Sequence, residues 1–242
     1  MSNSKPSCTP SKQRTVNEDR NADFFDGWGE YHDMVGSLDT YSNSARALDS
    51  ELAGRVVDVG SGGVVNYDCS RIAELVLVDL SEVKQAGSSW PSCVRPVLGS
   101  AVELPLETGG YDCLLMQMVV HHLAERDFAT TRERVGQAFR EAQRVLRPGG
   151  RLVVLESVMP GVLEWAERLA FPLTRRILAW MGHPLVFQWR AASLRRLAVE
   201  AGFGTAKESW VPRGRWMIFL GRRMPTALVP VRFVKLVATK AG

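Results

Sequence analysis

Short apolar runs and longer amphipathic stretches alternate along most of the chain. The apolar runs have the composition of buried strands and occupy residues 56–59, 75–78, 111–120 and 152–155, with later strand signals at 207–211 and 232–238. Residues 126–146 and 193–201 place their apolar side chains on one helical face, and glycines follow both stretches. The pattern therefore predicts buried strands separated by helices.

The first strand signal leads directly into a glycine-rich turn. Gly60, Gly62 and Gly63 have no Cβ atom, so the backbone there can turn sharply and approach a ligand closely. Asp58 lies at the end of this strand, and Asp79 ends the next one, about 20 positions after the turn. An acidic residue at that distance is the arrangement that binds a ribose in nucleotide-binding α/β folds, so we expect the two carboxylates at adjacent strand tips.

Three further segments with recognisable motifs follow these two strands. Residues 97–106 read V-L-G-S-A-V-E-L-P-L, residues 111–123 contain an apolar strand that ends near two histidines, and residues 144–152 read R-V-L-R-P-G-G-R-L. Together with the glycine turn, these segments resemble the conserved motifs of class I S-adenosylmethionine-dependent methyltransferases. The resemblance covers residues 56–156.

The resemblance implies an α/β fold: a doubly wound, mostly parallel seven-stranded sheet with helices on both faces, whose last two strands form an antiparallel edge. It also implies S-adenosylmethionine as the cofactor and a methyltransferase as the enzyme. The residues that match the cofactor motifs are Asp58, Gly60, Ser61, Gly62, Gly63, Asp79, Leu80, Gly99, Ser100, Ala101, Gln117 and Met118, with Tyr31 from the N-terminal segment.

Two positions depart from the family pattern. Val64 stands where the third glycine is usual, which suggests an altered loop path near the methionine end of the cofactor. Ser100 replaces the acid of the third motif, which removes the usual carboxylate partner of the adenine amino group. Backbone amides and a serine hydroxyl can serve instead.

We expect a single domain over residues 21–242 after a polar tail at 1–20 that is disordered. Residues 21–52 are predicted to form a helical lid with Trp28, Tyr31 and Tyr41 as candidates. Between the glycine turn and the second strand there is room only for a short helix beginning near Asp68 or Ser70, whose amides would face the cofactor carboxylate. Residues 162–192 are predicted to be a helical insertion after the fifth strand, placed to roof the site.

The chemistry of methyl transfer requires few residue types, because the sulfonium already activates the methyl group. An ionised carboxylate or phosphonate acceptor needs no base, whereas a phenol or alcohol does. His121 and His122 are the first candidates and His183 is the second; if the adjacent pair lies in a strand, only one can face the site. Glu156 could orient the substrate or cap a neighbouring helix. No His, Cys or Asp cluster has metal-ligand spacing, so we expect no metal.

Charge is divided unevenly along the chain. Residues 161–242 hold 14 Lys or Arg and 4 Asp or Glu, a net +10, and residues 1–160 hold 16 and 22, a net −6. The split suggests an anionic partner near the C-terminal region, or simply a solvated basic face. If the acceptor is acidic, the candidate arginines are Arg175, Arg176, Arg190, Arg213 and Arg215.

The remaining composition is that of a globular protein. The four cysteines show no disulfide pattern, which indicates a reducing compartment. The N-terminus is polar and has no signal peptide, and no apolar run is suited to span a membrane. We therefore expect a cytoplasmic protein. The Asn/Asp-Pro-Pro-aromatic motif of base-methylating relatives is absent, so we expect no nucleic-acid partner. Taken together, the sequence predicts an O-methyltransferase of small-molecule biosynthesis with a partly apolar acceptor. Carbon or nitrogen methylation and a non-catalytic cofactor-binding scaffold are the alternatives, and the oligomeric state is open.

Overall fold

The computed structural model describes residues 15–26, 38–82, 90–219 and 222–242. Its helices are α1 (Val16–Asp26), α2 (Asp39–Leu48), α3 (Phe128–Val145), α4 (Gly161–Trp180) and α5 (Ala191–Glu200), with single 3-10 turns at Val120–His122 and Thr226–Leu228. Its strands are β1 (Gly54–Val59), β2 (Ile72–Asp79), β3 (Val94–Leu98), β4 (Tyr111–Gln117), β5 (Leu146–Val158), β6 (Phe203–Trp210), β7 (Trp216–Phe219), β8 (Arg222–Pro225) and β9 (Arg232–Lys240).

Seven strands form one sheet in the order β3-β2-β1-β4-β5-β9-β6. Strands β1 to β5 are parallel, and β9 runs antiparallel to both β5 and β6. The predicted fold and its antiparallel edge are therefore confirmed. The chain moves from β1 outward to β3 and then returns to β4 on the other side of β1. The carboxyl ends of β1 and β4 consequently border the crevice where open α/β sheets bind ligands.

The central strands of the sheet are buried on both faces, whereas the edge strands β3 and β6 are largely exposed. Val57 and Val59 of β1 pack on one side with α3, whose Phe139 is fully buried. Val56, immediately before Val57, packs on the other side with α2 and the β7–β8 hairpin, because successive strand residues point to opposite faces. The apolar strand runs of the sequence therefore correspond to the double burial predicted for them.

The prediction of a short helix near Asp68 or Ser70 is wrong. Residues 60–71 form turns and irregular backbone with no helix, although all of them are described. The carboxylate of Asp68 accepts hydrogen bonds from both the amide and the hydroxyl of Ser70, at 2.9 and 2.7 Å. Such a local side-chain bond competes with helical hydrogen bonds, and Ile72 already begins β2.

The N-terminal region is also more ordered than predicted. Helix α1 includes residues 16–20, which were expected to belong to the disordered tail. Three of its polar side chains, Asn17, Glu18 and Asn21, are buried. The Asn17 amide donates to the carbonyl oxygens of His122 and Ala124, in the segment after β4, at 3.3 and 2.6 Å. Helix α1 is therefore ordered by hydrogen bonds to residues distant in the sequence, which its polar composition does not predict.

The predicted lid residues have different outcomes. Trp28 and Tyr31 lie outside the described residues. Tyr41 belongs to α2, where it is buried and packs edge-on against Phe233 with ring centroids 5.5 Å apart. Tyr41 is therefore a core residue rather than a lid.

The predicted helical insertion follows β5 as α4. Its buried side chains are Glu164, Phe171 and Leu178, while most of its remaining surface faces solvent. The chain then returns along the helix to the sheet, where the Phe187 amide donates to the carbonyl oxygen of His121 at 3.0 Å and Trp189 pairs with Val158. The insertion is thus anchored beside the carboxyl ends of β4 and β5.

Candidate active site

The glycine turn after β1 depends on a conformation that other residues rarely adopt. Gly60, Gly62 and Gly63 all have positive φ, at 75°, 58° and 85°. A Cβ atom on Gly60 would lie 2.6 Å from Cγ2 of Val119, in the loop after β4. The turn therefore lies directly against the β4 loop, and its backbone is open to close approach.

Asp79 links the ends of three strands. Its Oδ2 accepts the Gly62 amide at 3.0 Å, and its Oδ1 accepts the Ser81 amide at 3.3 Å. Its carbonyl oxygen accepts the Gly99 amide at 2.8 Å. The carboxylate predicted to bind a ribose thus stands opposite the glycine turn, with half-buried Leu80 beside it.

Asp58 is 1% exposed, and its Oδ2 accepts a hydrogen bond of 2.6 Å from the Tyr67 hydroxyl. Burial raises its pKa to about 7, the Tyr67 hydrogen bond opposes that rise, and the Asp79 charge adds to it. The other oxygen, Oδ1, has no hydrogen-bond partner among the described groups. A buried acceptor with an open position next to the turn is suited to a donor group on a ligand.

Ser100 has an acidic partner that the sequence did not indicate. Its hydroxyl donates to Glu18 Oε1 of α1 at 2.6 Å, and the same carboxylate forms an ion pair with Arg134. Ala101, beside Ser100, is buried. A carboxylate therefore lies at the third motif after all, supplied from 82 residues away in a segment predicted to be disordered.

The end of β4 is conformationally unusual. Met118 has φ of 57°, the one positive value at a non-glycine position among the described residues. Its amide donates to the carbonyl oxygen of Leu155 at 2.8 Å, and half-buried Gln117 precedes it. This bend carries the chain from β4 toward the glycine turn, where Val119 packs on Gly60.

His121 and His122 lie in the 3-10 turn after β4, not in a strand, so the expectation that they point in opposite directions is wrong. Their rings are neighbours, with centroids 4.0 Å apart. His121 Nδ1 lies 2.7 Å from Oε1 of Glu156, which is fully buried, and the His121 amide donates to Oε2. Burial and the neighbouring His121 lower the pKa of His122, which favours its neutral form.

Glu156 therefore orients a histidine instead of capping a helix. Its Oε1 also accepts the Ser157 amide at 2.7 Å, and the Ser157 hydroxyl donates to Oε1 of Gln188 at 3.1 Å. A carboxylate can only accept at these positions, so Nδ1 of His121 carries a hydrogen and Nε2 is the acceptor nitrogen. The arrangement is that of a histidine prepared to take a proton.

A second group of polar residues fastens α4 beside this pair. The Glu167 carboxylate accepts the Gln188 amide at 3.2 Å, and burial raises its pKa to about 7. Glu164 accepts the Ser193 hydroxyl at 2.9 Å and pairs with Arg190. His183, in contrast, lies in the turn after α4, where its amide donates to the carbonyl oxygen of Leu178.

The arginines proposed for an acidic acceptor are dispersed. Arg175 and Arg176 are exposed on α4, and Arg190 pairs with Glu164. Arg213 Nη2 donates to the carbonyl oxygen of Val229 at 3.0 Å, and the Arg215 amide is bound to Asp39. The guanidinium groups of two of the five, Arg190 and Arg213, are thus engaged in contacts that hold the fold.

The site fits the cofactor that the motifs imply. The Asp79 carboxylate suits a ribose diol, and Oδ1 of Asp58 suits a donor group of the ligand. The amides of Gly62, Gly63 and Val64 are engaged within the protein, by Asp79 Oδ2, Ser61 Oγ and the Ser61 carbonyl oxygen. Among the described residues, no group of three or more His, Cys, Asp or Glu side chains could hold a metal ion.

Comparison with known proteins agrees with this geometry. Residues 57–154 match a family model described as a methyltransferase domain. Over 171 residues the chain is 34% identical to an uncharacterized 37.1 kDa protein in transposon Tn4556 of Streptomyces fradiae, covering 65% of this chain and 45% of that protein. Over 158 residues it is 28% identical to the ubiquinone/menaquinone biosynthesis C-methyltransferase UbiE of Vibrio cholerae, covering 58% of this chain and 57% of that protein. The chain thus spans about half the length of these curated relatives.

Among solved structures, the chain resembles 1,6-didemethyltoxoflavin-N1-methyltransferase of Burkholderia thailandensis, which contains 1,6-didemethyltoxoflavin and S-adenosylhomocysteine. The TM-score is 0.59, with 17% identity over 97% of this chain and 94% of that one. At this identity the likeness shows the fold. In the part of the chain that the structure describes, no helix is both long enough and apolar enough to cross a membrane.

Proposed function

We propose that this chain, which belongs to the class I S-adenosylmethionine-dependent methyltransferases, transfers a methyl group to a hydroxyl of a small, largely apolar molecule. The observation that carries the proposal is the hydrogen-bonded pair of His121 and Glu156. His121 of this pair lies two residues after Val119, which packs against the glycine turn. A proton acceptor beside a cofactor turn is useful only if the methyl acceptor must lose a proton.

Each residue has a separate task in this mechanism. Asp79 would hold the cofactor beside the glycine turn, and the bound cofactor would supply a methyl group on an already activated sulfonium, leaving as the neutral thioether. Nε2 of His121 accepts the proton of the acceptor hydroxyl. Glu156 holds Nδ1–H at 2.7 Å, which sets the tautomer and stabilises the imidazolium that forms.

The surroundings of the pair favour an apolar acceptor. Val119 and Phe128 pack against the buried core next to the histidines, and Phe187 is fully buried while its amide binds the His121 carbonyl oxygen. Apolar walls exclude water, and the few polar groups then orient the reacting hydroxyl.

Carbon methylation is the second candidate, and the resemblance to UbiE favours it. Removing a proton from a phenolic hydroxyl also activates the adjacent ring carbon, so the same base would serve. An acidic acceptor would need no base, and for that acceptor the pair would have no catalytic task. We propose the cytoplasm as the location, because the three described cysteines are free thiols.

Turnover with a panel of phenols and hydroquinones and deuteromethyl-labelled S-adenosylmethionine tests the proposal. Mass spectrometry of the products identifies the methylated atom and so separates oxygen from carbon transfer. With the acceptor found, single-turnover rates for His121→Gln should fall about 100-fold or more, the usual loss when a general base is removed. Replacing His183, at the far turn of α4, should leave the rate unchanged.

Glu156→Gln provides the matched test of positioning. It retains the size of the side chain and weakens the control of the His121 tautomer, so the rate should fall and its dependence on pH should change. Cofactor affinity, measured by calorimetry with S-adenosylhomocysteine, should stay within about twofold in both variants, because neither residue belongs to the cofactor set. A normal rate for His121→Gln would contradict the base and favour an acidic acceptor. Cofactor binding without turnover on the whole panel would favour a scaffold.

A further inference from the structure

Helix α4 has an unusual distribution of apolar side chains. Of the fourteen exposed large apolar residues in the described part of the chain, eight lie between residues 162 and 181. They are Val162, Leu163, Trp165, Leu169, Leu173, Ile177, Trp180 and Met181. Several are strongly exposed, Val162 at 71% and Trp180 at 87%. Exposed apolar groups on this scale, gathered in one helix, indicate a surface that is covered in use.

These side chains form a continuous stripe. Val162, Trp165, Leu169, Leu173 and Trp180 follow one another at helical spacings of three, four, four and seven residues, which places them on one face. The side chains buried against the protein, Glu164, Phe171 and Leu178, recur every seven residues on the opposite face. The helix is thus apolar outward, with about 30 Å of length in its 20 residues.

The acidic and basic side chains of α4 differ in their exposure to solvent. Its two acids are turned inward: Glu164 is buried and pairs with Arg190, and Glu167 accepts the Gln188 amide. Its three arginines, Arg168, Arg175 and Arg176, are exposed. Arg168 also stacks on the Phe128 ring, 4.2 Å from its centroid, and Arg175 lies beside the buried face, next to Phe171 and Leu178 in helical spacing. The solvent face of the helix is therefore apolar and without an acid, and arginines lie along its flanks.

We propose that α4 is a membrane-surface anchor, which lies in the headgroup region of an anionic lipid bilayer with its outward stripe inserted. The combination of an apolar face, flanking arginines and tryptophans near both ends is the one that binds such a surface. A second copy of the chain is a poorer occupant. Two α4 helices in contact would place the flanking arginines of both copies near one another, without an exposed acid on either helix to balance them.

The position of the anchor is functionally suitable. Helix α4 begins at Gly161, shortly after Glu156, and the segment that follows it returns to the His121 carbonyl oxygen through Phe187. The docked helix would therefore hold the entrance to the site at the lipid surface, where apolar molecules accumulate. The anchoring itself does not depend on methyl transfer and can be measured without any acceptor.

Vesicle co-sedimentation of the full chain tests the anchor. Binding to vesicles of phosphatidylcholine with one third phosphatidylglycerol should be strong, and binding to phosphatidylcholine alone should be much weaker. Leu169→Asp/Leu173→Asp should lower the partition coefficient about tenfold or more, since two apolar side chains no longer insert. Arg175→Gln/Arg176→Gln should lower it about tenfold or more on anionic vesicles only.

Leu228→Asp is the matched control, because Leu228 is exposed to the same 71% as Val162 but lies in a 3-10 turn far along the chain. It should bind like the wild type, and circular dichroism should show every variant folded. If the Leu169→Asp/Leu173→Asp helix does not fold, Trp180→Gln at the helix end replaces it. Absent binding to anionic vesicles, or equal binding by the stripe variants, overturns the proposal. The proposal is also overturned if the wild type is a dimer and only the stripe variants are monomers, because a second copy would then cover the apolar face.

Discussion

The Tyr67 hydroxyl donates a 2.6 Å hydrogen bond to Oδ2 of Asp58, beneath the glycine turn. Tyr67 belongs to the irregular segment that occupies the place of the predicted helix, and it is buried there. The segment without a helix therefore supplies the hydroxyl partner of a carboxyl group whose burial raises its pKa to about 7.

This relationship predicts a pH-dependent stability. In the unfolded chain Asp58 loses its proton near its ordinary pKa of 3.8, whereas in the folded protein it keeps the proton to about pH 7. The folded state thus binds more protons in this interval, so the free energy of unfolding falls as pH rises from 3.8 to 7. Asp58→Asn should remove up to about 4 kcal/mol of that fall.

Urea unfolding of wild type and Asp58→Asn at pH 5 and pH 8 measures the effect. The variant should be relatively more stable at pH 8 than at pH 5, and other titrating groups cancel in the comparison. Tyr67→Phe should increase the pH dependence instead, because the lost hydrogen bond favours the ionised form. Identical pH profiles for all three proteins would mean that Asp58 titrates normally.

Gly60 and Gly109 form a matched pair for testing close approach at the turn. Both have positive φ, 75° and 69°, but a Cβ on Gly109 meets nothing within 4 Å, whereas one on Gly60 meets Val119 at 2.6 Å. Gly109→Ala should cost only backbone strain of about 1 to 2 kcal/mol. Gly60→Ala should cost more and should weaken S-adenosylhomocysteine binding by more than tenfold, about 1.4 kcal/mol.

The steric origin of that loss can be isolated. Gly60→Ala/Val119→Ala removes the methyl groups that the new Cβ would contact, so thermal melting should recover part of the stability lost in Gly60→Ala. No recovery in the double variant would assign the loss to backbone strain alone.

Asp79 is expected to provide a charge-assisted hydrogen bond to the cofactor, worth about 1.5 to 3 kcal/mol. Asp79→Ala should therefore weaken S-adenosylhomocysteine binding about tenfold or more by calorimetry. Asp79→Asn keeps an acceptor for the Gly62 amide and should lose less. Asp68→Asn removes one charge from the other end of the same loop and should bind normally; an equal loss there would indicate a general charge effect.

The pair of Glu18 and Arg134 should fasten α1 to the third motif. Both side chains are largely buried, and Glu18 also binds the Ser100 hydroxyl. Removing one member of a buried pair costs about 3 to 5 kcal/mol when the other charge is left without compensation. Arg134 keeps Glu125 as a second partner at 3.2 Å, so Glu18→Ala should fall at or below the lower end of that range. Glu18→Ala and Arg134→Ala should each be strongly destabilising in urea unfolding, while the double variant should cost less than their sum. Strict additivity would show that the pair does not interact.

The sequence by itself determined the sheet and the glycine turn. Strands buried on both faces favour apolar β-branched residues, and positive φ favours glycine. Both preferences are visible within a few residues, at Val56, Val57 and Gly60. The helices at 128–145 and 161–180 were equally readable, because an apolar face at helical spacing is a local property.

Only the tertiary structure decided the partners. Glu18 is hydrogen-bonded to Ser100, 82 positions away, and Glu156 to His121, 35 positions away. Nothing in the local sequence around any of these residues predicts its partner. The same holds for α1, whose polar residues become ordered by carbonyl oxygens after β4, and for the segment before β2, where Asp68 bonds locally instead of starting a helix. Such contacts depend on which distant groups the fold brings within hydrogen-bonding distance, and local composition does not contain that information.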